Sequence, residues 1–510
     1  MNVLLSAIIF VPWAGALLLL LLKNAGPRTT RGLALLFSLS TLVLGMRALG
    51  SFEPALAGLQ LVEHRDWISS LHVHYHLGLD GLSLLLVLLT GIVGPAALAA
   101  GSGNVRDHRL YAALFLLLQG AALGVFLAQD FFLWFVFWEL SLVPAYFLIR
   151  LWGGPDATRA AYQFVIYTIG GSAFMLLGFA AIYAAVGTLD FVELAKLGAT
   201  GSLARDLGGL ATFVFVGVFL GLAVKVPLFP FHTWLPAAYA EAPTGASMFL
   251  TGVMSKMGVY GFLRLLWPLF PAQLHAAAPC LIWLALAGVV FGAFAAMKQT
   301  DLKRMVAYSS VNHVSYCLLA LFAVAARTQG HIMIDSSIEL SALSGMLLQM
   351  FNHGLSAAAL FFCVGILASR AGGARGLNDF GGVRTAAPIF AGLCGIALFS
   401  SLGLPGLNGF VGEFLIFRGV FGLAPAVGAL ATLGLLATAI FLLTFYQRVF
   451  HGPTTARTAG FRDLTGGELA TLAPLIGLMF LFGVFPQSLV WLFNPLITSW
   501  AQHFSLFAQP

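Results

Sequence analysis

Between residues 3 and 492 the chain divides into fourteen apolar stretches, most about 20 residues long, joined by short polar connections. No other feature restricts the fold as tightly. A helix needs about 20 apolar residues to cross a bilayer, and lipid offers no partner to an unsatisfied backbone group. The stretches lie near 3–22, 32–50, 79–99, 110–128, 131–149, 161–186, 209–231, 243–268, 276–297, 304–325, 341–369, 386–417, 423–447 and 469–492. An all-α polytopic membrane protein with about 14 transmembrane helices is expected. With 60% hydrophobic and 9% charged residues, the composition excludes an ordinary soluble domain. The first stretch has no basic lead and no small-residue cleavage signal, so it reads as a retained helix.

Charge placement predicts the orientation. Of 25 Lys and Arg, sixteen fall in one set of alternate connections and seven in the other. The richer side reads as cytoplasmic, which puts both termini on the outer side of a bacterial inner membrane. On this reading the net charge of +6 reflects topology and implies no nucleic-acid partner. The four cysteines, Cys280, Cys317, Cys363 and Cys394, sit singly, with no C-x-x-C pair to suggest a cluster, zinc or disulfide framework. Nucleotide-binding and zinc-hydrolase motifs do not occur. HVHYH would set His72, His74 and His76 on one face of a strand, but solvated histidines in an outer loop explain it as well, and no metal site is expected. Residues 190–206 read as a surface helix or loop, and 453–460 as a polar connection.

Two Lys remain, Lys225 and Lys256, and both lie inside apolar spans, as do Glu139 and Glu413. A charge at the centre of a membrane helix costs about 2.5–3.5 kcal/mol on insertion scales. Structural ion pairs would account for any one of the four; their recurrence in several spans favours a proton or ion path. Lysine suits such a path, because its compact ammonium changes state readily when buried beside a carboxylate. Lys225 lies late enough in its span to snorkel, whereas Lys256 is about 20 Å into its helix and is not. His313 and His353 extend the polar line at mid-span. A lone His on an apolar face is often structural, but two beside buried lysines point to relay roles. Lys303 and Arg304 read as loop charges.

Two spans carry helix breakers beside these charges. LAVKVPLFPFHTWLP puts Pro227 and Pro230 just after Lys225, and FSSLGLPGLNGFVGEF puts Pro405, Gly406 and Gly409 just before Glu413. Proline removes a donor and clashes with the preceding turn, so the seventh and twelfth spans should be broken. With spans 4–8 and 9–13 taken as two five-helix units, each break falls in the fourth helix of its unit. Such paired interruptions mark an inverted-repeat transporter and its ion site, and an odd helix number inverts the second copy. The expected organisation is a single antiporter-like domain. Residues 1–109 lead in, 110–268 and 276–450 form the repeats, and 451–510 hold the last connection and helix.

WELSLVP, KVPLFPFHTWLPAAYAEAPT, SKMGVYGFLR, QTDLKRMVAYSSVNH and GFVGEF resemble the antiporter-like membrane subunits of respiratory complex I, the NADH:quinone oxidoreductase. Across essentially the whole chain the similarity is to the subunit M / mitochondrial chain 4 family. The resemblance implies one proton channel, with Glu139 and Lys225 as a coupled pair, Lys256 as central relay, and His313 and His353 as connectors. It implies Glu413 as the terminal group, where related subunits often carry Lys. It further implies an enzyme subunit without a redox centre of its own. NADH, FMN, iron–sulfur clusters and quinone would belong to partner subunits, and antiporter-like neighbours would flank the chain. A subunit of a multi-chain cation/proton antiporter or of a membrane-bound hydrogenase remains the alternative.

Overall fold

The computed structural model describes residues 3–101, 106–327 and 336–507. Helices α1 (Leu4–Leu21) and α2 (Pro27–Gly50) form an antiparallel pair. A two-stranded hairpin follows, β1 (Gln60–Ile68) and β2 (Val73–Leu79). Next come α3 (Gly81–Gly101) and α4 (His108–Leu127), then one span in two pieces, α5 (Phe131–Leu140) and α6 (Leu142–Trp152). The first half continues with α7 (Ala157–Val186), the short α8 (Phe191–Ala199) and α9 (Ser202–Leu207), and α10 (Ala211–Lys225). After a break come α11 (Trp234–Glu241), α12 (Thr244–Phe249), α13 (Ser255–Gly261) and α14 (Trp267–Leu269), the last three joined by π turns at Leu250–Met254 and Phe262–Leu266.

The second half holds α15 (Pro271–Met297), α16 (Leu302–Ala325), α17 (Ser336–Arg370), α18 (Val383–Ala386), α19 (Pro388–Ser401), α20 (Asn408–Leu423) and α21 (Pro425–Phe450). Helices α22 (Gly466–Val484) and α23 (Gln487–Phe507) end the chain. Among the described residues, twelve helices are long and apolar enough to cross a membrane. The eighth and twelfth sequence stretches are not among them, because π turns divide one and residues 402–407 divide the other.

Local chemistry explains the helix starts. Asp130, Asp190 and Asp301 each accept backbone N–H bonds from the first turn of the helix that follows, satisfying donors no helix can satisfy itself. Thr465 and Glu468 form a reciprocal capping box at α22. Two elements depart from the sequence reading. The fourteenth stretch stops at Val484, because Pro486 disfavours helix at Phe485, and α23 then starts as a separate helix. Residues 60–79, read as an outer loop, form a hairpin. Its β2 backbone docks on the loop before α5, with Gln129 N donating to His76 O at 2.8 Å. Its other face holds α1, where Leu5 N donates to Glu63 at 2.7 Å and Tyr75 meets Ser6 at 2.6 Å.

Helices α16 and α17 occupy the centre. Their apolar windows are each 94% buried, against 28% for α2 at the edge. A polar side chain on either helix must therefore find its partner inside the protein. Large exposed side chains such as Leu36, Val43, Ile166, Leu177 and Phe213 lie on the outer helices, as lipid or a neighbouring subunit would require.

Candidate functional site

Lys256 sits in α13 directly after the first π turn. Its Nζ donates to Thr251 O at 2.6 Å, five residues back, and lies 3.2 Å from Ser255 Oγ and 2.8 Å from His353 Nδ1. A π turn widens the helix by one residue and is typical of functional positions. Here the Thr251 carbonyl accepts from both the ammonium and Ser255 Oγ, the latter at 2.8 Å. On α17, His353 lies beside His313 of α16, ring centres 5.4 Å apart. His313 Nδ1 is 3.0 Å from Glu413 Oε1 on α20, at ion-pair distance but outside hydrogen-bond alignment. Gln349 Nε2 donates to the same Oε1 at 3.2 Å. Four helices thus bring Lys256, His353, His313 and Glu413 into one buried line.

This line has unused capacity. His353 Nε2, both His313 nitrogens and Gln349 Oε1 are buried without a hydrogen-bond partner among the described residues. They border a cavity of about 10 Å³ shared with Ser356, Ser400 and Glu413. That is near the smallest space a single water needs. Buried polar atoms left unpaired cost about 1–3 kcal/mol each, so these groups are held in place at a cost in stability.

The break before Glu413 is built as the breakers predict. Chain direction changes between α19 and α20, with Gly403 at φ 79° and Gly406 at φ 93°. Asn408 and Asn352 exchange backbone bonds, with Asn352 Nδ2 donating to Asn408 O at 2.7 Å, so α17 satisfies groups the break leaves free. Ser400 Oγ donates to Asn408 Oδ1 at 2.6 Å. A side chain at Gly409 would overlap the Ser400 carbonyl, which is why glycine stands there. Gly409→Ala is expected to destabilise the chain by about 1–3 kcal/mol, the usual penalty of overpacking. A lowered melting temperature of the purified complex would show it; an unchanged one would mean the break yields freely.

The second cluster surrounds Lys225, the last residue of α10. Lys225 is 3% exposed and does not snorkel. Its Nζ lies 3.5 Å from Ser141 Oγ, at the joint between α5 and α6, and 4.9 Å from the centre of the Trp138 ring. The break behind it is closed by Trp234, whose indole donates to Val224 O at 2.9 Å. Among the described residues, Glu139 and Lys225 make no direct ion pair or hydrogen bond. Glu139 is only half-buried, at the edge of the chain, with a buried Oε1 lacking a partner. The sequence places it inside an apolar span, as found, and α5 leaves it half-buried there. No hydrogen bond among the described residues joins this cluster to Lys256.

Sequence reasoning missed three groups. Lys303, read as a loop charge, is buried in the first turn of α16 and donates to Ala242 O at 2.6 Å. Nearby, Arg375 meets Glu241 at 3.3 Å and Asp301 at 3.0 Å, fixing the α11–α12 connection to α16. Arg304 is exposed as expected. His232, in the seventh-span break, is buried with Nδ1 unpaired, and the flanking prolines were its signal. Gln349, on Glu413, had no local signal, since an amide in a long helix is unremarkable by sequence.

Residues 128–440 match the sequence pattern of the family described as NADH:quinone oxidoreductase/Mrp antiporter, TM. NADH-quinone oxidoreductase subunit M of Rhodobacter capsulatus is 35% identical, covering 99% of this chain and 97% of the relative. Its namesake from Mycobacterium tuberculosis (strain CDC 1551 / Oshkosh) is 34% identical, covering 97% and 93%. A chain of the Thermus thermophilus respiratory complex I, solved with bound NADH, superposes with TM-score 0.84 and 28% identity over 98% of this chain and 99% of that one. The Mrp complex of Dietzia sp. DQ12-45-1b shares the fold at TM-score 0.78 and 23% identity, over 98% of this chain and 52% of its own. The chain belongs to the NADH:quinone oxidoreductase/Mrp antiporter membrane family, as a member of its complex I subunit M branch.

Proposed function

We propose that this chain is a proton-translocating subunit in the membrane arm of an NADH:quinone oxidoreductase, flanked by antiporter-like neighbours. NADH, FMN, iron–sulfur clusters and quinone belong to partner subunits in this reading. The observation that carries it is the buried line Lys256–His353–His313–Glu413, in which each group can hold or release a proton. Lys256 Nζ hands a proton to His353 Nδ1 across 2.8 Å, and the imidazole passes it on from its other nitrogen toward His313 and Glu413. Lys225 forms a second proton holder, and Glu139 biases it from the rim, where a neighbouring subunit's charges can act on it as well. The two helix breaks support the reading of two inverted five-helix units. The excess of Lys and Arg in one set of connections supports a cytoplasmic placement of that side and outer termini. Relatives named as oxidoreductase subunits over 93–97% of their length favour this class over a subunit of a multi-chain cation/proton antiporter or of a membrane-bound hydrogenase.

Glu139→Ala and Lys225→Ala are expected to assemble and to lose most proton uptake into inside-out vesicles. Lys225→Ala should slow NADH:quinone turnover as well, while reduction of an artificial acceptor at the peripheral arm stays normal. A fall in both activities together would indicate misassembly. Wild-type proton uptake in either variant would remove that residue from the path.

A further inference from the structure

The hairpin register assembles a cluster that the proposed proton path does not use. His64 pairs with His76 and Asp66 with His74 across the antiparallel strands. Directly opposed residues share a face, so these four side chains stand together, while Glu63 and Tyr75 face the opposite way onto α1. The His64 ring centre lies 4.7 Å from that of His74 and 4.8 Å from that of His76. His72 takes no part: it precedes β2 in the left-handed region, at φ 47°, so the sequence grouping of His72, His74 and His76 does not hold. His64, eight residues upstream, replaces it.

Asp190, the N-cap of α8, meets this face. Its Oδ1 accepts the Val192 and Glu193 N–H groups, and its Oδ2 lies 2.5 Å from His76 Nδ1. Both His76 and Asp190 are buried, whereas His64 is exposed and open to an arriving ion. Among the described residues, His64, His76 and Asp190 are the one set of three whose ligand atoms all lie within 4.8 Å of one another.

We propose that His64, His76 and Asp190 bind a divalent transition metal, with Zn²⁺ the best-matched ion. Two imidazoles and a carboxylate are a recognised zinc donor set, and they leave a fourth position open. Bonds of about 2.0–2.2 Å in a tetrahedron set ligand atoms roughly 3.4 Å apart. His64, on the exposed strand, closes by rotation, and His76 and Asp190 separate to either side of the ion. His74, bonded to Asp66 at 3.1 Å, stands next to the open position. The bound ion ties the hairpin to the start of α8, two elements joined at present through His76 and its neighbouring backbone bonds. An all-nitrogen-and-oxygen set of this kind selects against Mg²⁺, which prefers oxygen ligands and retains water.

The intact membrane complex, purified through this chain, is dialysed against Zn²⁺ and its bound zinc counted by mass spectrometry. Wild type is expected to hold one equivalent more than His64→Ala, and His72→Ala is expected to match wild type. Loss of a direct ligand should weaken binding at this site at least as much as the roughly 10–100-fold typical of losing a supporting partner. His64→Gln, which keeps a polar side chain on the exposed strand, should lose the same equivalent and so separates ligand loss from hairpin damage. Equal zinc in wild type and both His64 variants overturns the site. Equal loss in His72→Ala overturns it too, since zinc would then follow the hairpin histidines in general.

Discussion

Lys256→Ala is expected to leave the complex assembled while NADH-driven proton uptake and quinone reduction fall by about 100-fold, the lower range for removing a positioned proton-transfer group. Lys256 is the one charged group on the buried line between the π turn and His353, and alanine can neither supply a proton to His353 Nδ1 nor accept one. The structural cost is smaller. Thr251 O keeps its bond from Ser255 Oγ, so only His353 Nδ1 loses its partner, worth about 1–3 kcal/mol and spread over a chain with many buried spans. Inside-out vesicles report proton uptake, and an artificial acceptor reports the peripheral arm. Normal acceptor reduction with collapsed uptake supports the relay. Unchanged uptake at normal assembly would take Lys256 out of it.

Glu413→Gln should be almost as severe. Glutamine keeps the size of the side chain and can still bond Gln349, but it cannot carry a proton to or from His313, 3.0 Å away. Glu413 also borders a second, larger cavity of about 350 Å³ lined by Phe410, Phe414, Phe417 and Phe421. It therefore stands between the inner line and the chain's outer surface, as a terminal group would. Proton uptake per electron should drop about 100-fold in Glu413→Gln, in keeping with the loss of a proton-transfer group. Glu413→Asp keeps the charge on a shorter arm and should retain part of the activity. A Gln variant assembled at normal levels and pumping at the wild-type ratio would end the terminal role.

Much of this site is legible without coordinates, for a local reason. A charge or a helix breaker in an apolar run costs energy wherever the chain goes, so Glu139, Lys225, Lys256 and Glu413, with Pro227, Pro230, Pro405 and Gly409, stand out from the sequence itself. Span lengths follow from bilayer thickness in the same way. Similarity to known subunits added roles, not geometry.

What covers each costly group was decided only by helix packing. Lys256 meets His353, 97 positions later, because α13 lies against the α16–α17 centre and a π turn rotates the ammonium inward. Among the described residues Glu139 has no ion-pair partner, because α5 leaves it half-buried, at an angle that the apolar pattern around it leaves open. Lys303 is buried because the carbonyl of Ala242, 61 residues away, is brought over it. Hairpin register likewise set His64 rather than His72 beside His76, since a one-residue shift would reverse every side chain. The sequence determined which residues needed partners, because that need is paid locally in desolvation. Tertiary structure alone decided who the partners are, because contacts between distant segments depend on how whole helices and strands pack.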